Sequence, residues 1–276
     1  MKILLNSLPK SGTNMVQKCL EQASVPYSGR SIAASSCFGR HALAKSILRR
    51  PSLNEVPLLI GLEIPVSVSP RWTSRYLKNA SGYVSGHAAY SDHYHSILKA
   101  EGYKTIQVVR HPCAVLTSWA NYIAESGYYW KNAHSHLAEM ELPDRVRFLL
   151  NGGKVGKDIS LYYKPFLAVL KQIEGWVDAE DVLTVRYEDL VGEKGGGSDK
   201  AQRETISKIL QHIGRNYQNA ELDILQSSLY GGTHTFRSGQ IDGWKKHIND
   251  ELNTLIVSEL KVSPVVQKLG YSDFLK

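Results

Sequence analysis

Cysteine is scarce in this chain, and Cys19, Cys37 and Cys113 are odd in number with no metal-ligand spacing. The sequence therefore suggests neither a disulfide framework nor a zinc site. No apolar run approaches the ~20 residues needed to cross a bilayer. The residues before the first polar loop are also too few for a secretory signal. These absences predict a globular, cytoplasmic protein that starts at or near Met1.

Clustered charge is also missing. The net charge is +7 and the pI is near 9.1, but Lys and Arg are scattered and no nucleic-acid-binding module is found. Nucleic acid is therefore not the expected partner, and a phosphate-rich small ligand would account for part of the positive excess. The 276 residues contain no repeat and no long linker, which favours one domain over 1–276.

Short apolar runs alternate with amphipathic segments along the chain. Strands are predicted over 3–7, 56–62, 82–85, 104–109 and 182–186, and helices over 15–23, 69–79, 91–100, 112–123, 158–176, 200–213, 217–228 and 249–261. A run of three glycines makes 192–199 a loop. This alternation predicts a single α/β domain whose central parallel sheet is flanked by helices.

The first candidate segment is Pro9-Lys10-Ser11-Gly12-Thr13-Asn14, between the first strand and the first helix. A turn that opens a helix presents unpaired N–H groups and the positive end of the helix dipole to an anion. Lys10 adds a cation, and Gly12 lets an anion approach the backbone. It is not a Walker A loop, which requires Gly-Lys-Ser/Thr at its end. A capped helix start with a surface lysine is the plainer alternative.

Two more segments follow strands, where open parallel sheets bind their ligands. Arg110 follows the clearest predicted strand, 104–109, and Ser118 lies eight residues later, inside the next helix. An Arg fork suits a phosphate dianion, although a salt bridge to a neighbouring helix would also explain Arg110. Tyr187, with Glu188 and Asp189 after it, offers a ring and a phenol at the sheet edge, or else a core side chain.

The fourth segment, from Phe236 to Lys245, is a non-helical stretch with two glycines and Trp244. Such a stretch suits a loop that folds over a ligand, or a surface turn closed by a packed Trp. Its candidate binding residues are Arg237, Ser238 and Gly239.

Together these four segments resemble the cytosolic-type, PAPS-dependent sulfotransferase family. Lys10-Ser11-Gly12-Thr13 is similar to that family's 5′-phosphosulfate loop, and Arg110 with Ser118 to its 3′-phosphate motif. Tyr187-Glu188-Asp189-Leu190 is similar to its Tyr-Glu-Asp segment, and Arg237 to Lys245 to its C-terminal Arg-Lys-Gly…Gly-Asp-Trp-Lys loop. The matches occur in the family's order from residue 9 to residue 245. Bacterial members resemble the chain more than the animal enzymes do, judging by the Gly-rich insert after Tyr187-Glu188-Asp189.

Three positions depart from the family pattern. Ser238 replaces a Lys, which removes one phosphate cation, and Asp242-Gly243-Trp244 replaces the order Gly-Asp-Trp. Asn14 stands where a second Thr is common. The departure at Ser238 weakens the expected contacts of the C-terminal loop but leaves the donor class unchanged.

The resemblance implies a P-loop-like fold and metal-free transfer of a sulfuryl group from PAPS (3′-phosphoadenosine 5′-phosphosulfate), which leaves PAP as product. The implied donor-binding residues are Lys10, Ser11, Gly12, Thr13, Asn14, Arg110, Ser118, Tyr187, Arg237, Ser238 and Gly239. The implied catalytic residues are Lys10, which stabilises the leaving phosphate, Ser118, which restrains Lys10, and His87, the general base. A homodimer is also possible, since small family members often dimerise.

The residues alone do not identify the general base. His87 follows the strand at 82–85, but a histidine bonded to a backbone carbonyl would look the same. Glu63 is the reserve base, and His93 and His95 are expected to be surface or packing residues.

The sequence does not identify the acceptor either. Residues 28–55 and 120–157 would shape its site, and an aromatic cluster there suits a sugar or a lipophilic pocket if it is not plain core (Trp119, Tyr122, Tyr128, Tyr129 and Trp130). Arg40, Arg49 and Arg50 could attract an anionic acceptor or merely solvate a helix. A small-molecule, carbohydrate or lipid hydroxyl is expected, an amine less so. A small-molecule P-loop kinase and a non-catalytic nucleotide-binding protein are the alternative functions.

Overall fold

The computed structural model describes residues 1–32, 50–62, 66–124, 136–155, 161–231 and 239–275. The strands in this part of the chain are β1 (Lys2–Ser7), β2 (Tyr27–Ile32), β3 (Leu58–Ile60), β4 (Val66–Val68), β5 (Gly82–Gly86), β6 (Tyr103–Val109), β7 (Gly153–Val155), β8 (Leu161–Tyr163) and β9 (Val182–Arg186).

Helices connect the strands. They are α1 (Thr13–Gln22), α2 (Pro70–Lys78), α3 (Asp92–Ala100), α4 (Pro112–Ala124), α5 (Leu142–Asn151), α6 (Phe166–Lys171), α7 (Glu174–Asp178), α8 (Tyr187–Leu190), α9 (Asp199–His212), α10 (Asn219–Leu229), α11 (Asp250–Leu260) and α12 (Val265–Lys268). Single 3₁₀ turns occur at Glu193–Gly195, Gly243–Lys246 and Ser272–Leu275.

The central sheet is parallel and has the strand order β2-β5-β1-β6-β9. Successive residues of a strand point to opposite faces, so Ile3 and Leu5 join one core, with α1, α9 and α10, while Leu4 joins the other. The second core contains side chains of α4, α5 and α6, including Trp119 and Phe166. Both faces of the sheet are thus covered, which confirms the predicted α/β fold and explains why β1 and β6 are so apolar.

Two helices begin just after a serine whose hydroxyl caps the helix. The Ser69 hydroxyl accepts a hydrogen bond from the backbone N–H of Trp72 at the start of α2, and the Ser91 hydroxyl accepts one from Tyr94 at the start of α3. Each satisfies one of the N–H groups that a helix leaves unpaired. Among the residues described, none of the helices is long and apolar enough to cross a bilayer.

The prediction of one long helix over 158–176 is wrong. The part that the structure describes contains β8, paired antiparallel with β7, and then the short helices α6 and α7. Pro165 has no N–H group and disfavours helical backbone at Lys164, so the helix starts only after it. The strand predicted over 56–62 is present as β3, but it pairs with β4 in a separate hairpin and not with the parallel sheet.

Candidate active site

Three of the candidate segments and the candidate base His87 lie at the same edge of the sheet, each after one of four adjacent strands. His87 follows β5, the loop with Lys10 follows β1, Arg110 follows β6, and Tyr187 follows β9. Asn6 pairs with Gly86, Ser7 with Val108, and Val109 with Arg186, so the strands end nearly level. With strands about 4.8 Å apart, these side chains form a row roughly 14 Å long. The order along the row is histidine, lysine loop, arginine, tyrosine.

The loop after β1 turns sharply into α1. Lys10 has φ +64° and Gly12 has φ +94°, both in the left-handed region. At Gly12 a side chain is also excluded by space, because a methyl group there would lie 2.4 Å from Cδ2 of Tyr187. The residue at the N-cap of α1 is Gly12, which has no side chain to accept a hydrogen bond from the first N–H groups of the helix. Ser7 and Thr13 hold the loop closed, their hydroxyl oxygens 2.6 Å apart.

Arg110 lies between this loop and Tyr187. Its Nη1 donates to the backbone carbonyl of Lys10 at 3.1 Å, and its guanidinium carbon lies 4.2 Å from the centroid of the Tyr187 ring. Tyr187 is buried, and its hydroxyl donates to the carbonyl of Gly239 at 2.7 Å. Burial raises the pKa of the phenol, so it stays a neutral donor. The predicted Lys10 and Arg110 segments are therefore in direct contact, and Gly239 joins them.

The polar atoms of this site fit a ligand with two anionic groups. Among the described residues, the Ser11 hydroxyl and the Nε of Arg110 are buried without a hydrogen-bond partner. A buried donor without a partner costs about 1–3 kcal/mol, and each of these two would be satisfied by a phosphate oxygen. The described ranges hold no group of three His, Cys, Asp or Glu side chains that could bind a metal ion.

His87 has its backbone and one ring nitrogen fixed. Its N–H donates to Ile32 and its carbonyl accepts from Gly61, each at 2.9 Å. Nδ1 lies 2.8 Å from the carbonyl oxygen of Ser7 and 3.3 Å from the Ser7 hydroxyl. A carbonyl only accepts, so Nδ1 carries the proton and Nε2 of the neutral ring keeps its lone pair. The carbonyl contact considered as the alternative role of His87 is therefore present, and it does not involve Nε2.

The amine of Lys10 reaches α4. Its Nζ lies 4.0 Å from the centroid of the Tyr122 ring, a cation–π distance. Ser118 precedes Tyr122 by one helical turn, so the two share a face of α4. The structure thus places the half-buried Ser118 on the helix face that meets Lys10.

Sequence reasoning missed Asn6 and Gln107, which are fully buried in β1 and β6. The Asn6 amide accepts from the N–H of Ala88 at 2.8 Å and donates to its carbonyl at 3.1 Å, while Gln107 Oε1 accepts from the same amide at 2.7 Å. Trp176 also donates to the Ala88 carbonyl, at 2.9 Å. These bonds fix the segment that carries His87. The sequence did contain a signal for this network, because a polar residue interrupts each of two apolar strands.

His111 was also missed. Its ring stacks on Trp244 with centroids 4.8 Å apart and an interplanar angle of 14°. Burial lowers the pKa of His111 to about 4, so the ring is neutral at pH 7. Trp244 therefore packs against His111, the residue that follows Arg110. Arg237 and Ser238, from the same segment, lie outside the described residues.

The remaining candidate residues lie outside the described ranges, in the core, or on the surface of the protein. Glu63, Arg40, Arg49, Tyr128, Tyr129 and Trp130 lie outside the described residues. Trp119 is core, packed against Tyr163 and Phe166. His93 is exposed, and His95 pairs with Asp181 at 3.0 Å, which agrees with their expected surface and packing roles. Asn14 lies half-buried on α1, and Arg50 is exposed.

Comparisons with known proteins agree with this fold. Mouse sulfotransferase SULT7A1, solved in complex with PAP, superposes with a TM-score of 0.61 at 16% identity, covering 99% of this chain and 85% of that one. Retinol dehydratase, solved in complex with androsterone and PAP, gives a TM-score of 0.57 at 14% identity, with 96% and 80% covered. At these identities the structures show a shared fold. No curated protein sequence matches the chain.

The family model described as "Sulfotransferase domain" matches residues 1–259, which is most of the chain and includes every segment of the site. The chain therefore belongs to the sulfotransferase domain family.

Proposed function

We propose that this sulfotransferase moves a sulfuryl group from PAPS to a hydroxyl acceptor by in-line displacement without a metal ion. The order of groups along the sheet edge carries the proposal: base after β5, lysine loop after β1, nucleotide contacts after β6 and β9. An in-line transfer needs acceptor, sulfur and leaving phosphate in one row. This sheet edge offers that row, with the acceptor on the β5 side.

Donor binding would involve both anionic ends of the nucleotide. The N–H groups at the start of α1, with Ser11, Gly12, Thr13 and Asn14, would hold the 5′-phosphate. Arg110 and Ser118 would hold the 3′-phosphate, since the Nε of Arg110 is buried without a partner among the described residues. Tyr187, Arg237, Ser238 and Gly239 would complete the nucleotide contacts. Both solved relatives named above contain PAP, which supports this donor.

Lys10 would act on the leaving group. Bound PAPS supplies a sulfuryl group on a bridging oxygen that gains negative charge as it departs. A cation aimed at that oxygen stabilises the transition state more than the ground state. Lys10 follows the central strand, and its ammonium already lies on the α4 face of the site over Tyr122. Ser118, on the same face, would hold the amine away from the donor before an acceptor binds.

His87 would remove the acceptor's proton. Its Nδ1–H is bonded to the Ser7 carbonyl, so the lone pair on Nε2 is the atom that takes the proton. His87 is anchored to β2 and to Gly61, next to the segments expected to shape the acceptor site. A small molecule, a carbohydrate or a lipid with a hydroxyl group fits this scheme, and an amine would need the same base.

The decisive test is ligand-dependent thermal unfolding followed by a transfer assay. We expect PAP to raise the unfolding temperature more than ADP or AMP, without Mg²⁺. A ligand at a hundredfold its Kd adds about 2.7 kcal/mol to stability. A labelled PAPS assay over hydroxyl and amine acceptors then identifies the substrate. Preference for ATP with Mg²⁺ would instead indicate a kinase, and PAP binding without transfer to any acceptor would indicate a nucleotide-binding protein.

A further inference from the structure

Three residues outside the proposed donor contacts form a chain of hydrogen bonds that ends beside Arg110. Glu188 Oε1 accepts from the backbone N–H of His111 at 2.9 Å. Its second oxygen, Oε2, accepts from the hydroxyl of Tyr271 at 2.7 Å. One carboxylate thus joins the residue after Arg110 to the C-terminal part of the chain.

The C-terminal end of this chain of bonds is fixed on several sides. Tyr271 is 4% exposed, and the guanidinium carbon of Arg186 lies 4.7 Å from its ring centroid. Tyr271 and Phe274 also contact the His111 ring edge-on, with centroids 5.6 and 4.7 Å apart. Trp244 stacks on the ring's face, so the side chain and the backbone of His111 are both held.

Arg110 needs such support because its own contacts do not fix the position of its guanidinium group. Its guanidinium lies on the Tyr187 ring and bonds the Lys10 carbonyl through Nη1, while Nε has no partner among the described residues. A stacked guanidinium slides on a ring at little cost, so its aim depends on the backbone that carries it. A hydrogen bond to the next N–H fixes that backbone.

We propose that Tyr271 and Glu188 are positioning residues that aim Arg110 at the 3′-phosphate of the donor. Tyr271 lies beyond residue 259, where the match to the family model ends. A segment outside that match would therefore help to set the selectivity for a 3′-phosphorylated nucleotide. This inference rests on the donor proposed above.

The test compares Tyr271→Phe with the wild type by isothermal titration with PAP and with AMP, which lacks the 3′-phosphate. We expect the affinity for PAP to fall about five- to tenfold, equivalent to about 1–1.4 kcal/mol, and the affinity for AMP to change less than twofold. The matched control is Tyr103→Phe, which removes another buried hydroxyl bond, to the Leu77 carbonyl at 2.9 Å. It should change neither affinity.

A second variant keeps the test decisive if Tyr271→Phe folds poorly. Glu188→Asp retains the charge but is one methylene shorter, so it cannot reach both the His111 N–H and the Tyr271 hydroxyl. It should show the same selective loss of PAP affinity. An unchanged ratio of PAP to AMP affinity in these variants, or an equal loss of both ligands, overturns the positioning role. A wild type that does not prefer PAP overturns the proposed donor, and this inference with it.

Discussion

At the scale of single residues, Lys10 and His87 have different expected roles that kinetics separate. Lys10→Ala should lower kcat about 100- to 1000-fold, the usual cost of one group that stabilises developing charge. PAP affinity should fall less than tenfold, since the α1 N-terminus and Arg110 remain. Steady-state kinetics and PAP titration measure the two effects, with exposed Lys208→Ala as control. Equal losses in both would reduce Lys10 to a binding residue.

His87→Ala should lower turnover by about 100-fold or more and leave PAP binding unchanged, because only the acceptor's proton depends on Nε2. His93→Ala, an exposed histidine on α3, is the matched control. Full turnover in His87→Ala would remove it from the mechanism and direct attention to Glu63.

Gly12 is constrained by both its backbone and its surroundings. Gly12→Ala adds about 1–2 kcal/mol of left-handed strain and a methyl group 2.4 Å from Cδ2 of Tyr187, the ring under Arg110. We expect PAP affinity to fall at least tenfold. Gly102→Ala is a close control, because Gly102 has φ +75° but no atom within 4 Å of the added methyl. It should lower stability without changing PAP affinity; a similar affinity loss in both variants would argue against the clash.

At the scale of elements, the Asn6 amide joins three strands. It forms hydrogen bonds with Ala88, just after β5, and with Gln107 in β6, and all these groups are buried. Asn6→Ala should lower the free energy of unfolding by about 1–3 kcal/mol, because it leaves buried groups without partners. Turnover should fall as well, since His87 loses its support. Denaturant unfolding and kinetics measure both effects.

A double-mutant cycle isolates the Asn6–Gln107 bond itself. Gln107→Ala alone and combined with Asn6→Ala should give a coupling of about 0.5–3 kcal/mol. Strict additivity would mean that the two amides act independently.

The elements also show where periodicity succeeds and fails. β1 and β6 were predictable because each is an apolar run that the sheet buries, and α2 and α3 because Ser69 and Ser91 cap them. The helix predicted over 158–176 failed because apolar spacing does not show that Pro165 interrupts it. The β3 strand was found, but its pairing with β4 is a non-local choice that no local pattern records.

At the scale of the whole molecule, the half-buried His111 links stability to pH. Its pKa is about 4, lowered chiefly by burial, with Lys245, Arg110 and Arg186 lowering it further and Asp242 opposing them. The unfolded chain, with an ordinary pKa near 6.5, therefore binds a proton that the folded chain does not. Stability is complete above about pH 6.5 and declines toward pH 4.

The expected contribution of His111 between pH 8 and pH 5 is about 2 kcal/mol. His111→Phe removes the titrating group and keeps an aromatic ring against Trp244. Its free energy of unfolding should fall less than that of the wild type over this interval, measured with denaturant at each pH. Parallel pH profiles for the two proteins would show that His111 does not titrate on unfolding.

The sequence by itself determined the strand–helix alternation and the order of the four candidate segments, because burial and turn chemistry act over a few neighbouring residues. Only the tertiary structure decided that β5, β1, β6 and β9 are neighbours and that the Lys10 loop contacts Arg110. It also decided the proton position on His87 and the bonds from Tyr271 through Glu188 to His111. These contacts join residues about 80 to 100 positions apart, and they depend on how the whole chain packs.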